Sequence, residues 1–319
     1  MILSPEVLTI FILNFIFIFF AIIAFILSLK IFLKWDLNAT TQMQYKLGKQ
    51  SYLAAIIIKY IFVIKLPLFL FFIFTLDKLS LLLNGAMCAA GVVDATVYGS
   101  FLLILKIMNL YLFAYWLVLH NQDIKDETQP YTKQKFGLFS IAFFLLLGEV
   151  IVESLMFGAI DGDKLVNCCG SLYSSSASSY IATIFLINTP TLLTLFYGNF
   201  LLITLFYFLK NRYLFAISNI LFIIVSLISI IAFFGTYIYQ LPTHHCPFCF
   251  LEKDYNYIGY AIYILLFGGT LYGIIVGFIP SLYEERVKQF QVSLILNFLL
   301  VVTLSLYPII YFIKNGVWL

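Results

Sequence analysis

From Leu8 to Leu29 the chain reads LTIFILNFIFIFFAIIAFILSL, and no charged residue interrupts it until Lys30. A helix crossing the hydrocarbon layer of roughly 30 Å needs about 20 mostly apolar residues, so this stretch is long enough to span. Its apolar residues run continuously instead of alternating, which predicts a helix and not a barrel strand. In lipid the backbone polar groups must be paired within the segment, and a helix does this. No Lys or Arg precedes the stretch, its apolar part exceeds a signal core, and no small-residue cleavage site follows, so it is expected to remain as a membrane helix.

The same reading extends along the whole chain. Of 319 residues, 63% are hydrophobic, 19% aromatic and only 10% charged, a composition outside the range of soluble domains. Polar interruptions divide it into eight predicted spans near residues 8–30, 52–76, 98–119, 137–158, 185–209, 213–237, 257–280 and 291–313. Asn188, Pro190 and Asn199 interrupt the fifth, and only Lys210, Asn211 and Arg212 separate it from the sixth. No segment between spans is long enough to build a soluble core. Residues 1–319 therefore read as one all-α, polytopic integral-membrane domain.

Basic residues are retained on the cytoplasmic side of a membrane. With the amino terminus outside, the cytoplasmic breaks hold Lys30, Lys34, Lys46, Lys49, Lys125, Lys133, Lys135, Lys210, Arg212, Arg286 and Lys288. The opposite side holds only Lys78, Lys164, Lys253 and Lys314, so both termini are expected outside. The net charge of +3 is modest and topology accounts for the basic residues, which leaves no nucleic-acid footprint. The lipid bilayer is the one partner that composition requires.

All five cysteines fall in breaks that this topology puts on the outer side. Cys88 lies in Asn84-Gly85-Ala86-Met87-Cys88, Cys168 and Cys169 are adjacent, and the third break reads His244-His245-Cys246-Pro247-Phe248-Cys249. A Ser-rich run from Ser174 to Ser179 after the second break reads as a tether or a plain spacer. The Cys-x-x-Cys pair is the sharpest signal. At a helix start, unpaired N–H groups and the helix dipole would stabilise a thiolate, and Lys253 one turn on would add a cation. His244 and His245 would relay a proton or ligate a metal.

The run Cys246-Pro247-Phe248-Cys249-Phe250-Leu251-Glu252-Lys253 resembles the Cys-x-x-Cys-x-x-Glu-Arg element of DsbB-type membrane oxidoreductases, and more loosely the Cys-x-x-Cys of vitamin K epoxide reductases. The resemblance implies a core of about four spans that passes electrons from extracytoplasmic thiol proteins to quinone. It implies that Cys246 and Cys249 are the quinone-facing couple, with Lys253 where the family's basic residue meets the quinone. Cys88 with Cys168 or Cys169 would be the shuttle, and Tyr255 and Tyr260, in the aromatic belt beside the pair, would wall a quinone pocket. The motif and the compact loops point to a bacterial inner membrane.

The same atoms offer a second chemistry. Thiolates and imidazoles suit Cu(I) or zinc, so His244, His245, Cys246 and Cys249, with Met87 and Cys88, form an alternative soft-metal set served by an extracytoplasmic metal carrier. A static disulfide bracing the loop, or a non-catalytic subunit of a larger complex, uses these residues without either chemistry. Both active readings need Cys88 close to Cys246, since sulfur exchange requires bonding contact.

Within the spans, Glu149 and Glu153 are four apart and share one helix face. Buried charges there mark a proton or cation path or pair with a base, and Lys65 and Lys106 are the candidate partners. Gly269, Gly273 and Gly277 form a small-residue stripe suited to close helix packing.

Overall fold

A computed structural model describes residues 4–36, 39, 41–162, 165, 166, 187–279 and 283–319. Every regular element among them is helical, and eight helices are long and apolar enough to cross a membrane. They are α1 (Pro5–Lys34), α2 (Gln42–Ser80), α4 (Gly99–Lys125), α5 (Thr132–Ala159), α6 (Thr189–Phe208), α7 (Arg212–Tyr239), α8 (Ile258–Phe278) and α9 (Tyr283–Asn315). The short α3 (Ala89–Asp94) precedes α4. Large apolar side chains such as Phe15, Ile26, Leu201 and Ile264 point outward. An exterior of this kind is stable against lipid tails and not against water.

Local chemistry sets the helix starts. Thr41 caps α2 by accepting from the Gln44 N–H, and Asn211 caps α7 by accepting from the Leu214 N–H. Pro190 does not break the fifth span; it sits in the first turn of α6, where its missing N–H costs nothing, with Asn188 as the N-cap residue. Pro67 and Pro308 are interior to α2 and α9.

Two compact units divide the chain: Met1–Asn84 with Val92–Lys164, and Gly85–Gly91 with Leu165–Leu319. In the first, α1 packs on α2 and α5, and α4 packs on α5 and α2. Its core is aromatic: Phe62 stacks on Phe113 at 4.2 Å and meets the edge of Trp116 at 5.4 Å, and Phe25 stacks on Phe143 at 4.3 Å. At one end the buried Asp123 takes Lys135 at 2.5 Å, the Thr132 hydroxyl at 2.9 Å and the Tyr131 N–H at 2.7 Å. That ties the end of α4 to the start of α5.

In the second unit α8 packs on α7 and α9, and α6 packs on α7 and α9. The glycine stripe makes this possible. A Cβ at Gly273 would come within 2.2 Å of the Asn219 amide, and one at Gly277 within 2.4 Å of Ala216. One at Gly269 would fall 2.4 Å from the Asn297 side chain. Where the helices approach, amides and hydroxyls join them: Asn297 donates to Asn219 at 2.8 Å, and Ser293 donates to the Gly269 carbonyl at 2.7 Å.

Candidate metal centre

Cys88 is carried by the turn ahead of α3, whose first bond runs from the Gly91 N–H to the Cys88 carbonyl at 3.0 Å. Gly85 opens that turn at φ +91°, a left-handed conformation, and a Cβ there would lie 2.4 Å from the Val166 carbonyl oxygen. Only glycine fits both demands.

Cys246 and Cys249 lie in the connection between α7 and α8. Gln240, at φ 55°, terminates α7. A 3-10 turn over Cys249–Leu251 and another over Lys253–Tyr255 follow, and the left-handed Asn256 and Tyr257 turn the chain into α8. The pair therefore does not stand at the start of the membrane helix as expected, because α8 begins only at Ile258. Lys253 belongs to the second turn and is exposed.

Two tyrosines hold this loop by its backbone. The Tyr239 hydroxyl, at the end of α7, donates to the Cys246 carbonyl and accepts from the Phe250 N–H at 3.0 Å. The Tyr263 hydroxyl, on α8, donates to the Pro247 carbonyl at 2.8 Å. Phe250 is wholly buried between the two rings, and the first turn of α8 presses so closely that a Cβ at Gly259 would strike the Phe250 ring at 2.3 Å.

Three sulfurs converge as a result. Cys88 Sγ lies 3.5 Å from Cys246 Sγ although 158 residues separate them in the chain. The Sγ atoms of Cys88, Cys246 and Cys249 all fall within 4.8 Å of one another, and all three residues are buried. A sulfur–sulfur bond is about 2.05 Å long, so Cys88 and Cys246 are not bonded to each other. A tetrahedral centre with bonds of about 2.3 Å holds its sulfurs about 3.8 Å apart, and these three need move only a little to reach that spacing.

The other expected residues are distributed around this core. Met87 is exposed although its neighbour Cys88 is buried. The His244 ring packs edge-on against Tyr239 at 4.3 Å, and its buried Nε2 has no hydrogen-bond partner among the described residues. His245 Nδ1 lies 3.0 Å from the Ile231 carbonyl, and burial holds its imidazole below the ordinary pKa. Neither imidazole joins the three-sulfur group. Tyr255 packs against Tyr239 at 4.7 Å, and Tyr260 lies near Tyr257 in the first turn of α8. Cys168 and Cys169, with the Ser-rich run after them, lie outside the described residues.

The intramembrane charges form a separate assembly inside the first unit. Lys65 donates to Glu149 Oε1 at 3.1 Å and to Asn14 Oδ1 at 2.9 Å, and the Asn14 amide donates to Glu153 Oε2 at 2.7 Å. Lys106 closes the ring, 2.9 Å from Glu149 Oε1 and 2.8 Å from Glu153 Oε1, and Asn109 adds a bond to Glu149 Oε2 at 2.6 Å. Two lysines offset two glutamates, and all six side chains are buried. Of the alternatives the spacing left open, this is ion pairing, with α1, α2, α4 and α5 each contributing.

Sequence reasoning missed Tyr239, Asn14 and Asn109. A tyrosine at a span end is ordinary belt composition, and an asparagine within an apolar run looks alike whether it faces lipid or core.

No protein-family model matches the chain, and no curated protein or solved structure is detectably similar to it. Its own geometry defines its class: a membrane-helical protein whose second unit holds a buried three-cysteine cluster at metal-ligand spacing.

Proposed function

We propose that the protein binds a soft metal ion, of which Cu(I) is the type, through Cys88, Cys246 and Cys249. One observation carries this reading: three buried sulfurs from two remote breaks lie within 4.8 Å of one another. Gathering them requires the glycine turn at Gly85 and the tyrosine clamps, and thiolate sulfur is the donor that soft cations select. Burial favours metal over disulfide exchange, because an incoming partner thiolate must reach a sulfur directly. The excess of Lys and Arg in the breaks on the opposite face supports an extracytoplasmic position for the site, with both termini on that side. A bacterial inner membrane and delivery by an extracytoplasmic carrier belong to the same proposal.

A second reading rests on the 3.5 Å between Cys88 and Cys246. In it, Cys246 and Cys249 form a disulfide by giving two electrons and two protons to a lipid-soluble quinone, which becomes quinol. The Cys88 thiolate then attacks Cys246, forming a Cys88–Cys246 disulfide and releasing Cys249 as thiolate. A thiolate of an external dithiol protein attacks Cys88 and releases Cys246, and that protein's second thiol closes its own disulfide and releases Cys88. The pair's presence in a unit whose described membrane-length helices are α6 to α9 suits the four-span core that the motif resemblance implies.

Titrating the purified full chain with Cu(I) against a chromophoric chelator separates the two. The metal reading expects one ion per chain and a loss of at least about 100-fold in affinity for each of Cys88→Ser, Cys246→Ser and Cys249→Ser. Cu(I) left wholly with the chelator, together with mixed disulfides trapped by Cys249→Ser, would reject it for the exchange reading.

A further inference from the structure

We infer that Tyr239 is the positioning residue of the three-cysteine centre and that a π turn in α7 aims it; the inference rests on the metal reading. The Cys246 carbonyl and the Phe250 N–H are four residues apart, the partners that an ordinary helical turn would join directly. Here the Tyr239 hydroxyl stands between them, donating to the first and accepting from the second. The Cys-x-x-Cys segment is thus a helical turn held open by one inserted hydroxyl. That opening fixes how Cys246 and Cys249 present their sulfurs, and Cys88 completes the set.

The reach of Tyr239 depends on α7 upstream. Residues Ile230–Phe234 form a π turn, closed by a bond from the Gly235 N–H to the Ile230 carbonyl. Such a turn adds one residue and rotates everything after it by about 100° relative to an uninterrupted α-helix. Gly235 permits the closure, since a Cβ there would lie 2.8 Å from the Ile230 oxygen. The turn also leaves the Ile231 carbonyl beside His245 Nδ1, a second tie from α7 to the same loop. Single π turns concentrate at functional sites, and this one ends at the residue that spans the cysteine turn.

The test uses the full chain in detergent with two probes: Cd(II), whose thiolate charge-transfer absorption counts bound sulfurs, and Cu(I) against a chelator. With the hydroxyl gone, Tyr239→Phe lets the turn close on itself. The expected result is binding weakened about 10- to 100-fold, the range for groups that orient metal ligands, with a smaller Cd–thiolate absorption per chain. Gly235→Ala, whose Cβ would lie 2.8 Å from the Ile230 oxygen, opposes the π closure without changing the residue count, so the helix returns to α phase, Tyr239 turns away, and both changes should be reproduced. Tyr257→Phe, which removes the hydroxyl of an exposed ring in the same loop, should keep wild-type binding. If Tyr239→Phe fails to fold by thermal unfolding, Gly235→Ala decides. Wild-type affinity and absorption in Tyr239→Phe or Gly235→Ala would overturn the inference and leave the metal reading standing. Absence of binding by the unaltered protein would overturn both.

Discussion

Gly259 shows how little room surrounds the cysteines. An added methyl would meet the Phe250 ring at 2.3 Å and Leu251 at 2.8 Å, both part of or next to the turn that carries Cys249. Gly259→Ala should therefore weaken Cu(I) binding about 10-fold, as misplacing a supporting group does, and chelator competition would measure it. Lys253 makes the opposite case. It is exposed, so Lys253→Gln should leave Cu(I) affinity within about twofold, whereas a quinone-linked exchange would slow. At this scale the sequence disclosed the reactive atoms and not their supports. Cys246 and Cys249 announce themselves by spacing, and Cys88 by standing in a break on the same predicted side. The tyrosines that hold them are indistinguishable on paper from the belt residues that any span end carries.

The ion ring shows what a helix pattern can and cannot disclose. The spacing of Glu149 and Glu153 put two carboxylates on one face of α5, and Lys65 and Lys106 were the bases within reach; both pairings form. What spacing could not convey is that Asn14 bridges Lys65 and Glu153, because nothing in a lone amide fixes its rotation about the helix. Burying charge is costly, and removing one member leaves its partner unpaired. Lys106→Met should destabilise the first unit by about 3–5 kcal/mol. Adding Glu153→Leu should restore part of that loss, because Lys106 and Glu153 lie 2.8 Å apart, and thermal unfolding in detergent would compare the two. Packing elements obey the same physics. Gly273→Ala, with its Cβ 2.2 Å from Asn219, should cost about 1–3 kcal/mol by overpacking the α7–α8 contact.

Across the whole molecule, eight spans and the helical class were legible, since apolar length alone determines them. The grouping into two units was not, because which helix packs on which depends on side-chain fit that hydropathy does not encode. The proposed sidedness rests on the distribution of Lys and Arg and gives its own prediction. In a background with all five cysteines changed to serine, the exposed Met87→Cys should react with an impermeant maleimide added to intact cells. Asn211→Cys, also at an exposed position, should react only after permeabilisation. The ion ring also bears on how such a chain is made. Ribosomes deliver α2 and α4 first, and Glu149 lies 84 residues after Lys65. A nascent chain halted before α5 would hold two ammonium groups in oil with no carboxylate to meet them. Release of the early helices from the insertion machinery must therefore wait for the fourth span, so the first unit enters lipid as a set.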